Sequence, residues 1–146
     1  AYKKGDRKHP TMRGIADSLS DQDMADVAAY YEQSGQAAAA AEGKVSREPN
    51  AQVAELLKKG ACVSCHGENF AKPIDPSYPK IAGQYSDYLY ATLKAYKNDT
   101  HHTWGRGNPV MGGVAKQFSN TELKALATYI ASLDSNLKTV PQSRFR

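Results

Sequence analysis

Cysteine is nearly absent. Two residues in 146 leave none over for a structural disulfide once any other role takes them. Long apolar runs are missing too, so nothing here is fit to span a bilayer. No charge of one sign dominates: the formal net charge of +4 is too small and too dispersed to argue for a nucleic-acid partner. Phenylalanine is scarce, at three residues, in a chain that is 40% hydrophobic and 23% charged. The length suits one full domain and part of another.

What is present is Cys62-Val63-Ser64-Cys65-His66. Two thiols one helical turn apart can add to the two vinyl groups of a porphyrin, and the adjacent histidine then lies under the iron, which is the attachment signature of a c-type haem. A thioredoxin-like dithiol would need a βαβ context, and the chain has none. A zinc site would need two more ligands, yet His9, His101 and His102 form no second CxxC or HxxxH pattern. Haem c attached through Cys62 and Cys65 is therefore expected, with His66 as an iron ligand.

The chain also repeats itself. Pro10-Thr11-Met12-Arg13-Gly14-Ile15-Ala16 is followed by Leu19-Ser20-Asp21-Gln22-Asp23-Met24 and Ala28-Ala29-Tyr30-Tyr31. Pro109-Val110-Met111-Gly112-Gly113-Val114-Ala115 is followed by Phe118-Ser119-Asn120-Thr121-Glu122-Leu123 and Ala127-Thr128-Tyr129-Ile130, at a constant offset of 99. Ala1-Tyr2-Lys3 and Ala95-Tyr96-Lys97 extend the match across a five-residue insertion. In each copy a Pro-x-Met-x-Gly turn leads to a serine that caps an apolar-periodic helix; Ser119-x-x-Glu122 is a full capping box and Ser20-x-x-Asp23 a weaker one. Only the second copy is preceded by CxxCH. Residues 1–34 thus read as the C-terminal half of a first domain, 35–50 as a linker broken by Gly35, Gly43 and Pro49, and 51–146 as a complete domain. Short helices are expected over about 51–60 and 86–97, the latter striped by Tyr88, Leu89, Leu93 and Tyr96.

Three methionines compete for the sixth iron position. Met111 lies in a Pro/Gly-rich loop, where glycine lets backbone approach a flat ligand; its thioether would stabilise ferrous iron. A core gap-filler is the alternative. Met24 reads as helix packing. Met12 copies the setting of Met111 but has no CxxCH of its own, so it is orphaned or serves a haem carried by a missing segment. His101 and His102 are rival ligands in a polar loop. Lys80 and Arg106 are candidates to pair with haem propionates, and Trp104 to lie near one, with plain surface roles as the alternative; Tyr129 is expected across the first helix near Leu56 to Gly60.

Taken together, Ala61-Cys62-Val63-Ser64-Cys65-His66-Gly67, Tyr78-Pro79-Lys80-Ile81-Ala82-Gly83-Gln84, Asn108-Pro109-Val110-Met111-Gly112-Gly113 and the closing helix resemble class I c-type cytochromes, and more closely the dihaem cytochrome c4 group. The resemblance implies an all-α class I cytochrome c fold, helices packed around a covalent haem, preceded here by a partial second cytochrome domain. It implies His66 and Met111 as axial ligands, and a bond from His66 Nδ1–H to the Pro79 carbonyl. It implies a periplasmic one-electron carrier between a quinol-oxidising complex and a terminal oxidase, rather than an enzyme. A haem subunit or catalytic haem domain of a larger oxidoreductase is the alternative, with peripheral association to a membrane complex. Where a c4 protein has two complete haem domains, only one is complete here. Haem attachment outside the cytoplasm also implies that a leader was removed or lies beyond Ala1. Residues 62–146, with ten basic and six acidic side chains, offer a mildly basic surface for an acidic redox partner, against −1 for residues 1–34.

Overall fold

A computed structural model of the chain describes residues 1–36, 47–98, 101 and 103–135, with only the backbone of 34–36. Among them lie α1 (Pro10–Ser18), α2 (Asp21–Gln36), α3 (Ala51–Lys59), α4 (Val63–His66), α5 (Ser86–Lys97), α6 (Pro109–Lys116) and α7 (Asn120–Ala131). The only strands among them are β1 (Arg7–Lys8) and β2 (Gly105–Arg106), an antiparallel pair two residues long. The fold is all-α. It divides into two compact units, one of Ala1–Ala39 with Tyr90–Lys124, the other of Ala40–Leu89 with Ala125–Arg146.

In the first unit the two sequence copies adopt the same local structure. The residues expected as Pro-x-Met-x-Gly turns are instead the first turns of helices α1 and α6. The reason is local: Pro10 and Pro109 pre-set the backbone at the helix start, while His9 and Asn108 cap it, their side chains accepting the N–H of Met12 (3.4 Å) and Met111 (3.0 Å). Both copies then carry a reciprocal capping box. Asp23 accepts the Ser20 N–H at 2.9 Å and Ser20 Oγ the Asp23 N–H at 3.1 Å; Glu122 and Ser119 do the same at 2.6 and 3.2 Å. The first box is thus as complete as the second, because Asp reaches back as Glu does. Lys3 Nζ donates to the Leu19 carbonyl at 2.9 Å and Lys97 Nζ to the Phe118 carbonyl at 2.5 Å, so each Ala-Tyr-Lys ties down the end of its own Met-bearing helix. α2 continues through Gly35 to Gln36; residues 37–46 of the expected linker lie outside the described residues.

The second unit starts at the Asn50 cap of α3, whose Oδ1 accepts the Val53 N–H at 2.8 Å. Val53, Leu56 and Leu57 are buried on one helical face. Ile130, Leu126 and Ala127 of α7 and Phe70, Ala82 and Leu89 complete the buried apolar set of this unit with Leu133 and Tyr129. The hydroxyl of the buried Tyr129 donates to the Arg47 carbonyl at 2.9 Å, ahead of α3. Burial first, then the Glu48 carboxylate, pushes that hydroxyl above the ordinary tyrosine value. A raised folded value means its stabilisation is present below the ordinary tyrosine range and is lost as pH climbs through the folded value. Tyr129→Phe should cost about 0.5–1.5 kcal/mol at neutral pH and flatten the alkaline side of a melting-temperature profile; an unchanged alkaline side would assign it elsewhere.

Between α3 and α4 the chain turns through Ala61 at φ +47°, a left-handed conformation that glycine adopts more cheaply. Ala61 is exposed. Ala61→Gly should therefore stabilise the protein by about 0.5–1 kcal/mol, read by denaturant midpoint.

Candidate haem c site

α4 holds the CxxCH in a single turn. The Cys62 carbonyl accepts the N–H of His66 at 3.1 Å, and the Val63 carbonyl that of Gly67 at 3.0 Å. That turn sets both thiols, free and half-buried, beside one another on the chain with the imidazole of His66 buried. Burial pushes the Cys62 thiol above its ordinary value. A reactive redox dithiol needs the opposite shift, toward thiolate.

His66 Nδ1 is 3.0 Å from the Pro79 carbonyl oxygen. A carbonyl only accepts, so Nδ1 carries a proton and donates it; in the neutral imidazole this leaves Nε2 as the nitrogen that can bind a metal. Tyr78 stands beside the same imidazole, ring centroids 6.5 Å apart. The loop that delivers Pro79 is sewn down at several points. Asn69, buried, accepts the N–H groups of Ala71 (3.1 Å) and Lys72 (3.0 Å), and Ile74 N–H donates back to the Cys65 carbonyl (3.2 Å). The Phe70 carbonyl takes both Ile81 N–H (2.9 Å) and Ala82 N–H (3.1 Å), with Phe70 itself fully buried at φ +56°. Asp75, held below the ordinary carboxylate value by its bond from the Ser77 hydroxyl, closes the turn between. Gly83, at φ +69°, donates to the Ile130 carbonyl (3.1 Å) on α7.

These residues fit a covalently held haem: two thiols on one turn, and a histidine whose tautomer and ring plane are already fixed. Among the described residues no group of three or more His, Cys, Asp and Glu side chains is placed to hold a metal ion. Met111, in the other unit, is half-buried at the third position of α6, and Gly112 beside it is buried with the Tyr96 carbonyl 3.5 Å from where a Cβ would stand. Met12 is half-buried at the matching position of α1, and Met24 is half-buried on α2. His101 is exposed, bonded by Thr103 and stacked on the exposed Trp104 at 4.8 Å; His102 lies outside the described residues. Lys80 is exposed and Arg106 half-buried. Sequence reasoning did not find Asn69, whose side chain caps the following turn, or Phe70, whose role is a backbone conformation; neither has a motif of its own.

Residues 51–134 match the family model of cytochrome c. The chain belongs to the cytochrome c family. It is 30% identical over 135 residues to cytochrome c4 of Azotobacter vinelandii, covering 87% of this chain and 61% of that protein. It is 34% identical over 139 residues to the thiosulfate dehydrogenase electron acceptor of Stutzerimonas stutzeri, covering 90% and 62%. The cytochrome c4 structure from Acidithiobacillus ferrooxidans superposes with a TM-score of 0.61 at 25% identity, over 91% of this chain and 78% of that one. The chain thus spans about three-fifths of the length of these two curated relatives. As a cytochrome c, it carries haem c covalently, with Cys62 and Cys65 in the attachment arrangement beside His66. No helix of the described residues is long and apolar enough to cross a membrane.

Proposed function

We propose that this cytochrome c is a one-electron carrier whose haem iron is ligated by His66 and Met111. When bound, haem c supplies a one-electron Fe(III)/Fe(II) couple. Cys62 and Cys65 tether it. The bond from His66 Nδ1 to the Pro79 carbonyl is the observation that carries the reading: it presents Nε2 in a fixed orientation and raises its donor strength, which is the preparation an axial ligand needs. Met111 supports the reading by its chain position, a thioether in the first turn of a helix beside the buried Gly112. A thioether in the sixth position would favour the ferrous state and leave no open site for substrate.

Residues 1–34 are read as the trailing half of another cytochrome domain. The support is a contrast between equivalent faces. Leu126, Tyr129 and Ile130 of α7 are 3%, 9% and 6% exposed, whereas Val27, Tyr30 and Tyr31 of α2 are 49%, 67% and 69% exposed. A haem-bearing half equivalent to residues 51–98 would cover that face, and Met12 would then ligate a second haem. The setting is periplasmic, with donors and acceptors of the respiratory kind, a quinol-oxidising complex and a terminal oxidase. A second reading, a haem subunit serving a larger oxidoreductase, is favoured by the relative whose printed name is a thiosulfate dehydrogenase electron acceptor.

An alkaline pyridine haemochrome assay with a reductive titration tests the proposal. One haem and one electron per chain, with no carbon monoxide adduct, are expected. A stable carbon monoxide adduct of the native ferrous protein would overturn the carrier reading in favour of an open-site haem enzyme.

A further inference from the structure

Residues 74–79 form a strap with both ends tied to the CxxCH turn. At one end the Ile74 N–H donates to the Cys65 carbonyl at 3.2 Å; at the other the Pro79 carbonyl accepts from His66 Nδ1 at 3.0 Å. Cys65 and His66 are consecutive, so the strap leaves α4 and returns to it one residue away. Between the two ties lies a β-turn that the sequence dictates. Asp75 stands first and Pro76 second, each a favoured residue at its place, and the Tyr78 N–H closes the turn on the Asp75 carbonyl at 3.1 Å. The Asp75 carboxylate also accepts the Ser77 N–H (2.8 Å) and hydroxyl (2.6 Å). Pro79 follows, and a residue ahead of proline is confined to extended backbone. Tyr78 is therefore held from both sides, by a closed turn before it and a proline after it.

The strap lays the Tyr78 ring beside the imidazole of His66. The ring centroids are 6.5 Å apart and the planes are tilted by 57°, within the range of aromatic contact. Tyr78 is 37% exposed and His66 7%. The pair thus has an outer ring that meets water and an inner ring that does not. The carbonyl that takes the Nδ1 proton belongs to the residue directly after Tyr78, so ring and bond arise at the same place in the chain. A hydrogen bond kept from water is electrostatically stronger. Water reaching Nδ1–H would compete with the Pro79 carbonyl and weaken the donor strength that this bond gives Nε2.

We propose that Tyr78 is a positioning residue for His66: its aromatic ring, not its hydroxyl, covers the bond from Nδ1–H to the Pro79 carbonyl against water. This rests on the reading of His66 as an iron ligand. The backbone of the strap supplies the acceptor, and Tyr78 supplies the apolar cover over it.

The test uses the ferrous holo-chain, isotope-labelled in histidine, and its variants Tyr78→Phe, Tyr78→Ala and Tyr78→Leu. NMR follows exchange of the His66 Nδ1–H proton into deuterium oxide at one fixed pH. Exchange should stay within about twofold of the parent in Tyr78→Phe and be about tenfold faster in Tyr78→Ala. The Ile81 and Ala82 N–H groups, both bonded to the Phe70 carbonyl, should keep their parental rates in each variant. Tyr78→Leu keeps apolar bulk without a flat ring and should exchange about threefold faster, which carries the test if Tyr78→Ala does not retain haem. Parental rates in Tyr78→Ala or Tyr78→Leu would overturn the proposal. So would a Tyr78→Phe variant as fast as Tyr78→Ala, since the hydroxyl would then be the active part. Equal acceleration at Nδ1, Ile81 and Ala82 would mean that the loop opens as a whole, and would also overturn it. A parent whose His66 ring signals lack the upfield displacement of an axial haem ligand would instead remove the ligation reading.

Discussion

Replacing Cys62 and Cys65 together with serine should leave a chain with no pyridine haemochrome signal and no cooperative melting transition in the unit built from α3, α4 and α7. A small helical domain has few apolar side chains to spend, and among the described residues of this unit Phe70 is the large side chain that is fully buried. A haem disc is the largest apolar surface available to such a core. Domains of this size have about 5–15 kcal/mol of stability in total, so losing the group they condense around exhausts it. Serine preserves the size of each side chain, which keeps the effect from being a packing defect. The single variant Cys62→Ser should be milder, because Cys65 and His66 still hold the haem from one side. A double variant that melts cooperatively would show that the fold stands without the cofactor.

Gly67→Ala should be strongly destabilising. Gly67 ends α4 at φ 76° and ψ 161°, a region essentially reserved for glycine. A Cβ there would overlap the backbone carbonyl oxygen of Lys72. That carbonyl has little freedom to withdraw, because the Lys72 N–H is bonded to the buried Asn69 side chain and the Ile74 N–H to the Cys65 carbonyl. Relief would have to come from the loop that carries Pro79 to His66, so strain and function are linked here. A loss on the order of 3–5 kcal/mol is expected, measured by denaturant unfolding of the holo-protein. Gly14→Ala is the control. It sits inside α1 with nothing within 4 Å of the added methyl, and should stabilise by about 0.5–1 kcal/mol. Equal effects at the two positions would contradict the geometry.

The parts of this protein legible in its sequence are those that recur or that need fixed spacing. CxxCH is a spacing. The two copies of the methionine helix are a recurrence, and the recurrence extends to hydrogen bonds: Lys3 and Lys97, Ser20 and Ser119, His9 and Asn108 hold matching partners. Even so, proline and glycine around Met12 and Met111 suggested turns where helices form, since Pro at the first helical position signals a start as readily as a break. Residues whose job is a backbone conformation left no mark. Nothing in Asn69-Phe70 announces that a buried phenylalanine takes a positive φ so that its carbonyl can clamp Ile81 and Ala82. The β1–β2 pairing was equally hidden, because strands of two residues are too short for any alternation to show.

The central claim, that Met111 rather than Met12 completes the coordination of the haem held beside His66, is tested most directly by near-infrared and visible spectra of the oxidised holo-protein. The charge-transfer band of methionine sulfur on ferric haem should be present in the parent, unchanged in Met12→Ala and absent in Met111→Ala. A band that survives in Met111→Ala, or vanishes in Met12→Ala, would contradict the account.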